Sequence, residues 1–334
     1  MTKAQINKLK KKGWTPKTYE DKCQLFADSV IEGIESSGKW VRTWTEAEIG
    51  GLPSNYQSNT EYSGLNQLAC MGRMMREDYK FNKWVTFKGA EALGGSVKKD
   101  ERKNYLHLCY YNVTLFDENG KKIPQGNPDK LEVSFRRAFM NTFVVYNIEQ
   151  CEGIDMPKPL KKKKRTLKPL KEMEALVKNF QKAYPSVKIS IKESNRAYCI
   201  PSRDEIVMPL IDQCVDWSVD DGGTILEGKH NWWRILLHEI GHLLQKRVAK
   251  TDDDIIPDNF FRNHKDDYAY EELCAELYSV FVGIKLGISY GKNMENSKEY
   301  VVGWLSQLKN NPQWIVEATK DSMKRVNLWD KAVA

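Results

Sequence analysis

The sequence has no long apolar run. Its longest apolar stretches, such as Phe143 to Tyr146, extend over only a few residues, whereas a membrane-spanning helix needs about 20. The basic first segment, MTKAQINKLKKKGW, is followed by no apolar stretch, so no secretory signal is expected. We therefore expect neither an integral membrane protein nor a membrane as its partner.

The seven cysteines lack a pattern as well. They are scattered along the chain, odd in number and form no CxxC pair. This distribution argues against a disulfide framework and favours reduced thiols. A cytoplasmic protein is the expectation.

The chain carries little net charge outside one short segment. Its 334 residues include 52 Lys and Arg against 45 Asp and Glu, a net charge of +7. Residues 157–170, PKPLKKKKRTLKPL, contain seven basic residues and no acidic one, while residues 1–156 and 171–334 carry net charges of +3 and −3. Prolines flank this block of like charge, so we predict a linker between two domains, 1–156 and 171–334. The linker is either a solvated spacer or a further contact to phosphates.

The hydrophobic periodicity predicts an α+β fold in both domains. In the first domain it indicates two helices and an antiparallel sheet, with a turn at 117–120 between the two long strands. These elements are helices at 18–36 and 65–77 and strands at 84–87, 105–116 and 135–148. The second domain is predicted to contain a helix at 171–184, short strands at 187–191, 197–200 and 205–208, and helices at 232–247 and 268–286.

An HExxH motif lies within the apolar helix predicted at 232–247. His238 and His242 are four residues apart, so they share one face of the helix and can present two imidazole nitrogens to one ion. Zn²⁺ binds imidazole readily and, in catalytic sites, keeps one position open for water. Glu239 projects beside the two ligands, where it can accept the proton of that water as general base.

The third zinc ligand is expected from the helix at 268–286. Glu272 and Glu276 are four residues apart and share a face beside an apolar stripe. We favour Glu272 as the ligand and Glu276 as the carboxylate that orients a histidine, although the reverse assignment also fits the spacing. Glu271 is a less favoured third choice, and the simpler interpretation makes it a solvated helix charge.

An ordered set of further motifs resembles one known family. In the C-terminal part these motifs are AYCIP at 197–201, DEIVMP at 204–209, HEIGH at 238–242 and YAYEELCAEL at 268–277. In the N-terminal part they include WVRTW at 40–44, YSGLN at 62–66, WVTF at 84–87 and YNIEQC at 146–151. Together they resemble the antirestriction protein ArdC. Two features depart from the family: the acidic insertion at 212–230 and the strongly basic linker.

The resemblance implies an N-terminal domain that binds single-stranded DNA and a C-terminal zincin-like metallopeptidase domain. It also implies a role in protecting incoming plasmid or phage DNA from host restriction enzymes. Stacking aromatic side chains and cations are how sequence-neutral single-strand binding works. The candidates for DNA contact are Trp40, Arg42, Trp44, Tyr62, Lys83, Lys88, Lys98 and Lys99. Trp84 and Phe87, on a predicted strand, are better explained as core residues.

The leading hypothesis is a two-domain antirestriction protein whose zinc peptidase site acts on a protein, with a host protein as the candidate substrate. In zincins an edge strand aligns the extended substrate, and residues 197–209 are the candidate for it. The alternative hypothesis is a non-catalytic single-stranded-DNA-binding protein whose zinc site is structural or vestigial. A zinc nuclease is less favoured, because such enzymes often use carboxylate-rich sites with two metals.

Overall fold

The structure is a computed structural model that describes most of both domains. The described residues are 18–37, 52–77, 79–117, 119, 122–123, 135–157, 170–213, 217–219, 224–226, 228–248, 268–286, 288 and 308–334. None of the helices in these ranges combines the length and the apolarity that crossing a membrane requires.

The N-terminal domain packs helices against a five-stranded sheet. In chain order its elements are α1 (Tyr19–Ser37), β1 (Ser54–Asn55), α2 (Gly64–Glu77), β2 (Lys83–Val85), α3 (Phe87–Ala92), β3 (Ser96–Val97), β4 (Leu106–Phe116), β5 (Lys122–Ile123), β6 (Phe135–Asn147) and β7 (Cys151–Glu152). The sheet order is β1-β2-β6-β4-β5, and β3 pairs separately with β7. Only β1 and β2 run parallel among the strands that pair in this domain's described part.

The two long strands, β4 and β6, are neighbours inside the five-stranded sheet of this domain. β4 and β6 are antiparallel along their whole length, from Leu106 opposite Val145 to Phe116 opposite Phe135. Asn66 of α2 caps the free edge of β4: its amide donates to the carbonyl of Cys109 and its oxygen accepts from the Cys109 N–H, both at 2.8 Å. The helix is therefore fixed to the sheet by a polar contact as well as by the apolar core.

One local prediction for this domain was wrong. The strand predicted at 84–87 ends at Val85, because the Thr86 hydroxyl accepts from the N–H of Gly89 at 3.0 Å and starts α3 at Phe87. This side-chain hydrogen bond outweighs the hydrophobic pattern. At the predicted turn, the Asp117 carboxylate accepts from the N–H of Asn119 at 3.0 Å, and the short strand β5 then pairs with β4 before the chain reaches β6.

The C-terminal domain places a small sheet beside a cluster of helices. Its elements are α4 (Leu170–Ala183), β8 (Lys188–Ile191), β9 (Tyr198–Ile200), β10 (Glu205–Met208), β11 (Trp217–Val219), β12 (Thr224–Leu226), α5 (Gly228–Val248), α6 (Tyr268–Leu286) and α7 (Trp314–Val333). β10 lies between β8, which is parallel to it, and β9, which is antiparallel. The insertion at 212–230 contains the β11–β12 hairpin and the first turn of α5.

The helix α7 was not predicted from the sequence, and it joins the two domains. It packs against α5 and α6 on one side and against α1 and α2 on another. At the contact with α2, a Cβ built on Gly64 would lie 3.2 Å from Met323 Cγ and 3.4 Å from Thr319 Cγ2. One continuous apolar core therefore extends through both domains. The predicted α+β, two-domain fold class is confirmed, and most of the linker lies outside the described residues.

Candidate metal centre

Helix α5 presents the two histidines of the motif on one face. The Nε2 atoms of His238 and His242 lie 3.1 Å apart and point into the same space. The flanking residues Leu237, Ile240 and Leu243 are at most 1% exposed, so the apolar core fixes the rotation of the helix. This burial holds both imidazoles at the helix surface that faces α6.

Helix α6 brings Glu272 to the same point. Its Oε2 lies 3.4 Å from His238 Nε2, and its Oε1 lies 3.4 Å from His242 Nε2. Two ligand atoms about 2.05 Å from a tetrahedral ion are separated by roughly 3.3 Å. Within the described ranges, His238, His242 and Glu272 form the one group of His, Cys, Asp and Glu side chains that could hold a metal ion. Two imidazoles and a carboxylate are a donor set that fits a divalent metal.

Gly241 allows the two helices to approach closely enough for this arrangement. A Cβ at this position would lie 3.0 Å from Ala275 Cα and 3.1 Å from the Ala275 carbonyl oxygen. Backbone atoms cannot yield as a flexible side chain can, so a larger residue would push α6 away from α5. The glycine inside the motif thus sets the distance between the histidines and Glu272.

Glu276 holds the outer nitrogen of His238. Its Oε2 lies 3.1 Å from His238 Nδ1. Since an ionised carboxylate only accepts hydrogen bonds, Nδ1 carries the proton and Nε2 remains as the nitrogen that faces Glu272. The structure therefore brings Glu272 and Glu276 to the two sides of one imidazole, in the arrangement that the sequence favoured.

Glu271 contacts the Nδ1 atom of His242, and Arg325 in turn pairs with Glu271; this part of the site was not predicted from the sequence. Glu271 Oε1 lies 3.2 Å from His242 Nδ1, and Arg325 Nη1 and Nη2 donate to Glu271 Oε1 and Oε2 at 2.7 and 2.8 Å. Interpreting Glu271 as a solvated helix charge was wrong, because it is fully engaged. A lone arginine in the apolar stripe of Trp314–Val333 was the available signal, but that helix was not recognised.

The ionisable groups of the centre perturb one another strongly. Burial lowers the pKa of His238, but its hydrogen bonds to Glu272 and Glu276 outweigh that effect and raise the pKa to about 10. Burial likewise opposes the raised pKa of His242, which results from Glu271 and Glu272. In Glu272, hydrogen bonds from both histidines overcome burial and hold the pKa below its ordinary value. Without a metal, the carboxylates around His238 therefore favour the protonated form of its imidazole.

Glu239 lies beside the candidate ligands, but its pKa is shifted in the opposite direction from those of Glu272 and Glu276. It is 9% exposed, and burial raises the pKa of its carboxyl against the opposing charges of His238 and His242. The backbone N–H of Cys199 in β9 donates to this carboxylate. β9 is an edge strand of its sheet and packs against α5. A carboxylate with a raised pKa next to the candidate metal ligands is suited to accept a proton.

Five of the residues predicted to contact DNA lie within the described part of the chain, and their surroundings differ. The ammonium groups of Lys83 and Lys98 are engaged within the domain, by the Ser54 hydroxyl at 2.6 Å and the Glu149 carbonyl at 2.8 Å. Lys88 and Lys99 are exposed. Tyr62 is half-buried, and burial raises its pKa to about 12. Trp40, Arg42 and Trp44 lie outside the described residues.

Exposed aromatic residues occur instead on the long strand pair. Tyr110 and Phe139, on β4 and β6, are 47% and 46% exposed, and the Tyr110 ring lies 6.0 Å from that of Phe143. Trp84, by contrast, is fully buried, in agreement with its interpretation as a core residue. Sequence reasoning missed the strand-pair aromatics because alternation along a strand does not tell which end of a sheet extends beyond its helices.

Two protein-family models match this chain. Residues 20–146 match the N-terminal domain of the anti-restriction factor ArdC, and residues 173–321 match a zincin-like metallopeptidase domain. Two DNA primases named TraC, both from Escherichia coli, are 26% and 25% identical over 305 and 307 residues. These alignments cover 89% and 90% of this chain but 26% and 19% of the primases, so the chain spans about a quarter or less of their length.

A further relative and two solved structures match over nearly the whole chain. The protein y4eC of Sinorhizobium fredii is 25% identical over 313 residues, which are 93% of this chain and 92% of that protein. Crystal structures of the antirestriction protein ArdC from plasmid R388, one metal-free and one with Mn(II) bound, have TM-scores of 0.64 and 0.62 at 22% identity. They cover 93% of this chain and 97% and 98% of theirs. The ArdC-like, two-domain architecture is thereby confirmed.

Proposed function

We propose that this chain, which joins an ArdC-type N-terminal domain to a zincin-like metallopeptidase domain, is an antirestriction protein that binds single-stranded DNA and hydrolyses a peptide bond at a zinc centre. The observation that carries the proposal is the convergence of His238, His242 and Glu272 on one point, with Glu239 beside it. Side chains at these separations fit one divalent ion, and with three protein ligands a tetrahedral ion keeps a fourth position for water.

When bound, the metal would lower the pKa of a water molecule and polarise a carbonyl oxygen. Glu239 accepts the proton of the attacking water on its carboxylate and passes it to the leaving amine. Glu276 and Glu271 keep the Nδ1 protons of His238 and His242 in place. Zinc is the proposed metal because two imidazoles and one carboxylate are the ligand set of many zinc peptidases.

The edge strand β9 is the proposed guide for the substrate. It lies next to α5, and its Cys199 N–H already contacts Glu239. No described strand pairs with the outer edge of β9, and an extended peptide added there would place one of its carbonyl groups near the proposed metal ligands. The proposed substrate is therefore a protein with an extended, accessible segment, and a host protein of the restriction system is one such candidate.

The N-terminal domain is proposed to hold the incoming DNA strand. The match to the ArdC N-terminal domain and the similarity to DNA primases support this role. In the described part of the domain, Lys88 and Lys99 are exposed cations, and Tyr110 and Phe139 are exposed aromatic rings. Phosphate contacts and base stacking would give binding without sequence preference.

The test of this function is protection of unmodified DNA that enters a restricting cell, with wild type compared with Glu239→Gln. The glutamine is isosteric and cannot accept a proton as a base, so metal content and folding should be preserved while protection is lost. Glu205→Gln, at the half-buried first residue of the central strand β10, serves as the matched control and should protect like wild type. Equal protection by Glu239→Gln and wild type would refute hydrolysis as the mechanism and favour the non-catalytic alternative, in which the protein coats DNA.

A further inference from the structure

Arg325 is a nearly fully buried cation that lies in no element of the motif. It is 2% exposed and belongs to α7. Both of its terminal nitrogens donate to the two oxygens of Glu271, at 2.7 and 2.8 Å. This forked pairing fixes a carboxylate in orientation as well as in position, which a single ammonium group cannot do.

Glu271 transmits this orientation to a proposed metal ligand. The oxygen that accepts from Arg325 Nη1 lies 3.2 Å from His242 Nδ1. Arg325 Nη1 also donates to the carbonyl of Gly241 at 3.0 Å, on the residue that precedes His242. Arg325 thus contacts both the side chain that holds the imidazole and the backbone beside it.

Helix α7 contacts both α6 and the N-terminal domain. Ser322, one turn before Arg325, has its hydroxyl 2.8 Å from the carbonyl of Cys274 in α6. On another side of the helix, Thr319 and Met323 lie against Gly64 of the N-terminal domain. The position of Arg325 therefore depends on a helix that both domains hold.

We propose that Arg325 is a positioning residue for the metal centre, acting through Glu271 on His242. It holds the imidazole so that Nε2 points to the position shared with His238 and Glu272. This inference rests on the proposed metal centre and adds a helix that neither the motif nor its acidic partner segment contains. Loss of a partner that orients a histidine ligand typically costs about 10–100-fold in metal affinity.

The first test compares Arg325→Lys with wild type by calorimetric titration of the full chain with Zn²⁺. Lysine keeps the charge but cannot make the forked contact, so zinc affinity should fall by about 10-fold or more. The matched control is Arg247→Lys on α5. Arg247 makes an equivalent fork to Asp204 at 2.9 and 2.9 Å and donates to the Leu243 carbonyl at 3.1 Å. The control should change thermal stability while zinc affinity stays within about twofold of wild type.

A double-mutant cycle then tests whether Arg325 affects zinc affinity through Glu271. If Arg325 acts through Glu271, Arg325→Lys should cost little further affinity once Glu271→Gln is present. Fully additive losses of zinc affinity in the two variants would show that Arg325 does not act through Glu271. An unchanged zinc affinity in folded Arg325→Lys would overturn the proposal that Arg325 positions the metal centre. Should Arg325→Lys fail to fold, Glu271→Gln alone decides, because zinc affinity equal to wild type in that variant contradicts the proposal. Failure of wild type to bind zinc would instead refute the metal centre itself.

Discussion

The candidate metal centre and the proposed DNA surface hold their charged side chains in opposite ways. In the candidate metal centre, Glu272 and Glu276 lie 3.4 and 3.1 Å from nitrogens of His238, and Glu239, Glu272 and Glu276 are at most 9% exposed. On the proposed DNA surface, the side chains of Lys88 and Lys99 are exposed. Buried charges must be paired to be tolerated, whereas binding a phosphate backbone requires only accessible cations. A metal site therefore depends on the precise placement of a few paired side chains. A DNA-binding surface depends on accessible positive charge distributed over its area.

The largest effect on zinc affinity is expected at Glu272, the proposed metal ligand, in comparison with Glu276, the carboxylate proposed to orient His238. Glu272→Gln removes the anionic oxygens that face both Nε2 atoms, so zinc affinity should fall by more than about 100-fold. Glu276→Gln leaves those atoms in place and should cost about 10–100-fold. Competition with a chromogenic chelator measures both affinities. The reverse order would exchange the roles of the two residues.

The second prediction is that the affinity of the metal centre for zinc depends on pH. Because the pKa of His238 is raised to about 10, its imidazole is protonated at neutral pH when no metal is bound, and zinc must displace a proton. Affinity should therefore decrease as pH falls, by about 10-fold per unit for each proton displaced. Calorimetry between pH 8 and pH 6 in buffers of different ionisation enthalpy measures the slope and the proton count. A flat profile would contradict the protonated state assigned to the centre.

The smallest effect is expected from the proposed DNA surface. Replacing Lys88 and Lys99 with alanine should weaken binding of a single-stranded oligonucleotide a few-fold and lower the slope of log affinity against log salt by about 0.7 per lysine. Fluorescence anisotropy over a salt series measures this. Lys178→Ala with Lys182→Ala, exposed positions on α4, is the control and should leave the slope unchanged. An equal decrease in both pairs would place DNA binding across both domains.

The same contrast explains how much the sequence could predict. His238 and His242 were identified because helical geometry alone puts residues four apart on one face. Glu272 and Glu276 followed from an acidic pair beside an apolar stripe. Arg325 lies 54 residues from Glu271, and no local pattern connects them. Its role depends on how α7 packs, which is a property of the folded chain.

The predicted DNA contacts stay predictions, because the sequence alone does not show which lysines are accessible. A lysine that is free to bind phosphate and a lysine that donates to a neighbouring group have the same sequence pattern. Lys83 donates to the Ser54 hydroxyl, and Lys98 donates to the Glu149 carbonyl. Exposure of Tyr110 and Phe139 depends on which end of the long strand pair the helices leave uncovered, and the alternation of residues does not encode this.

The decisive experiment for the hydrolytic metal centre is a crystal structure of the zinc-loaded chain. We expect one zinc ion bound by Nε2 of His238, Nε2 of His242 and the carboxylate of Glu272, with water in the remaining position and Glu239 beside that water. Zinc bound elsewhere, or a fourth protein side chain closing the site against water, would contradict a hydrolytic centre and leave a structural site in its place.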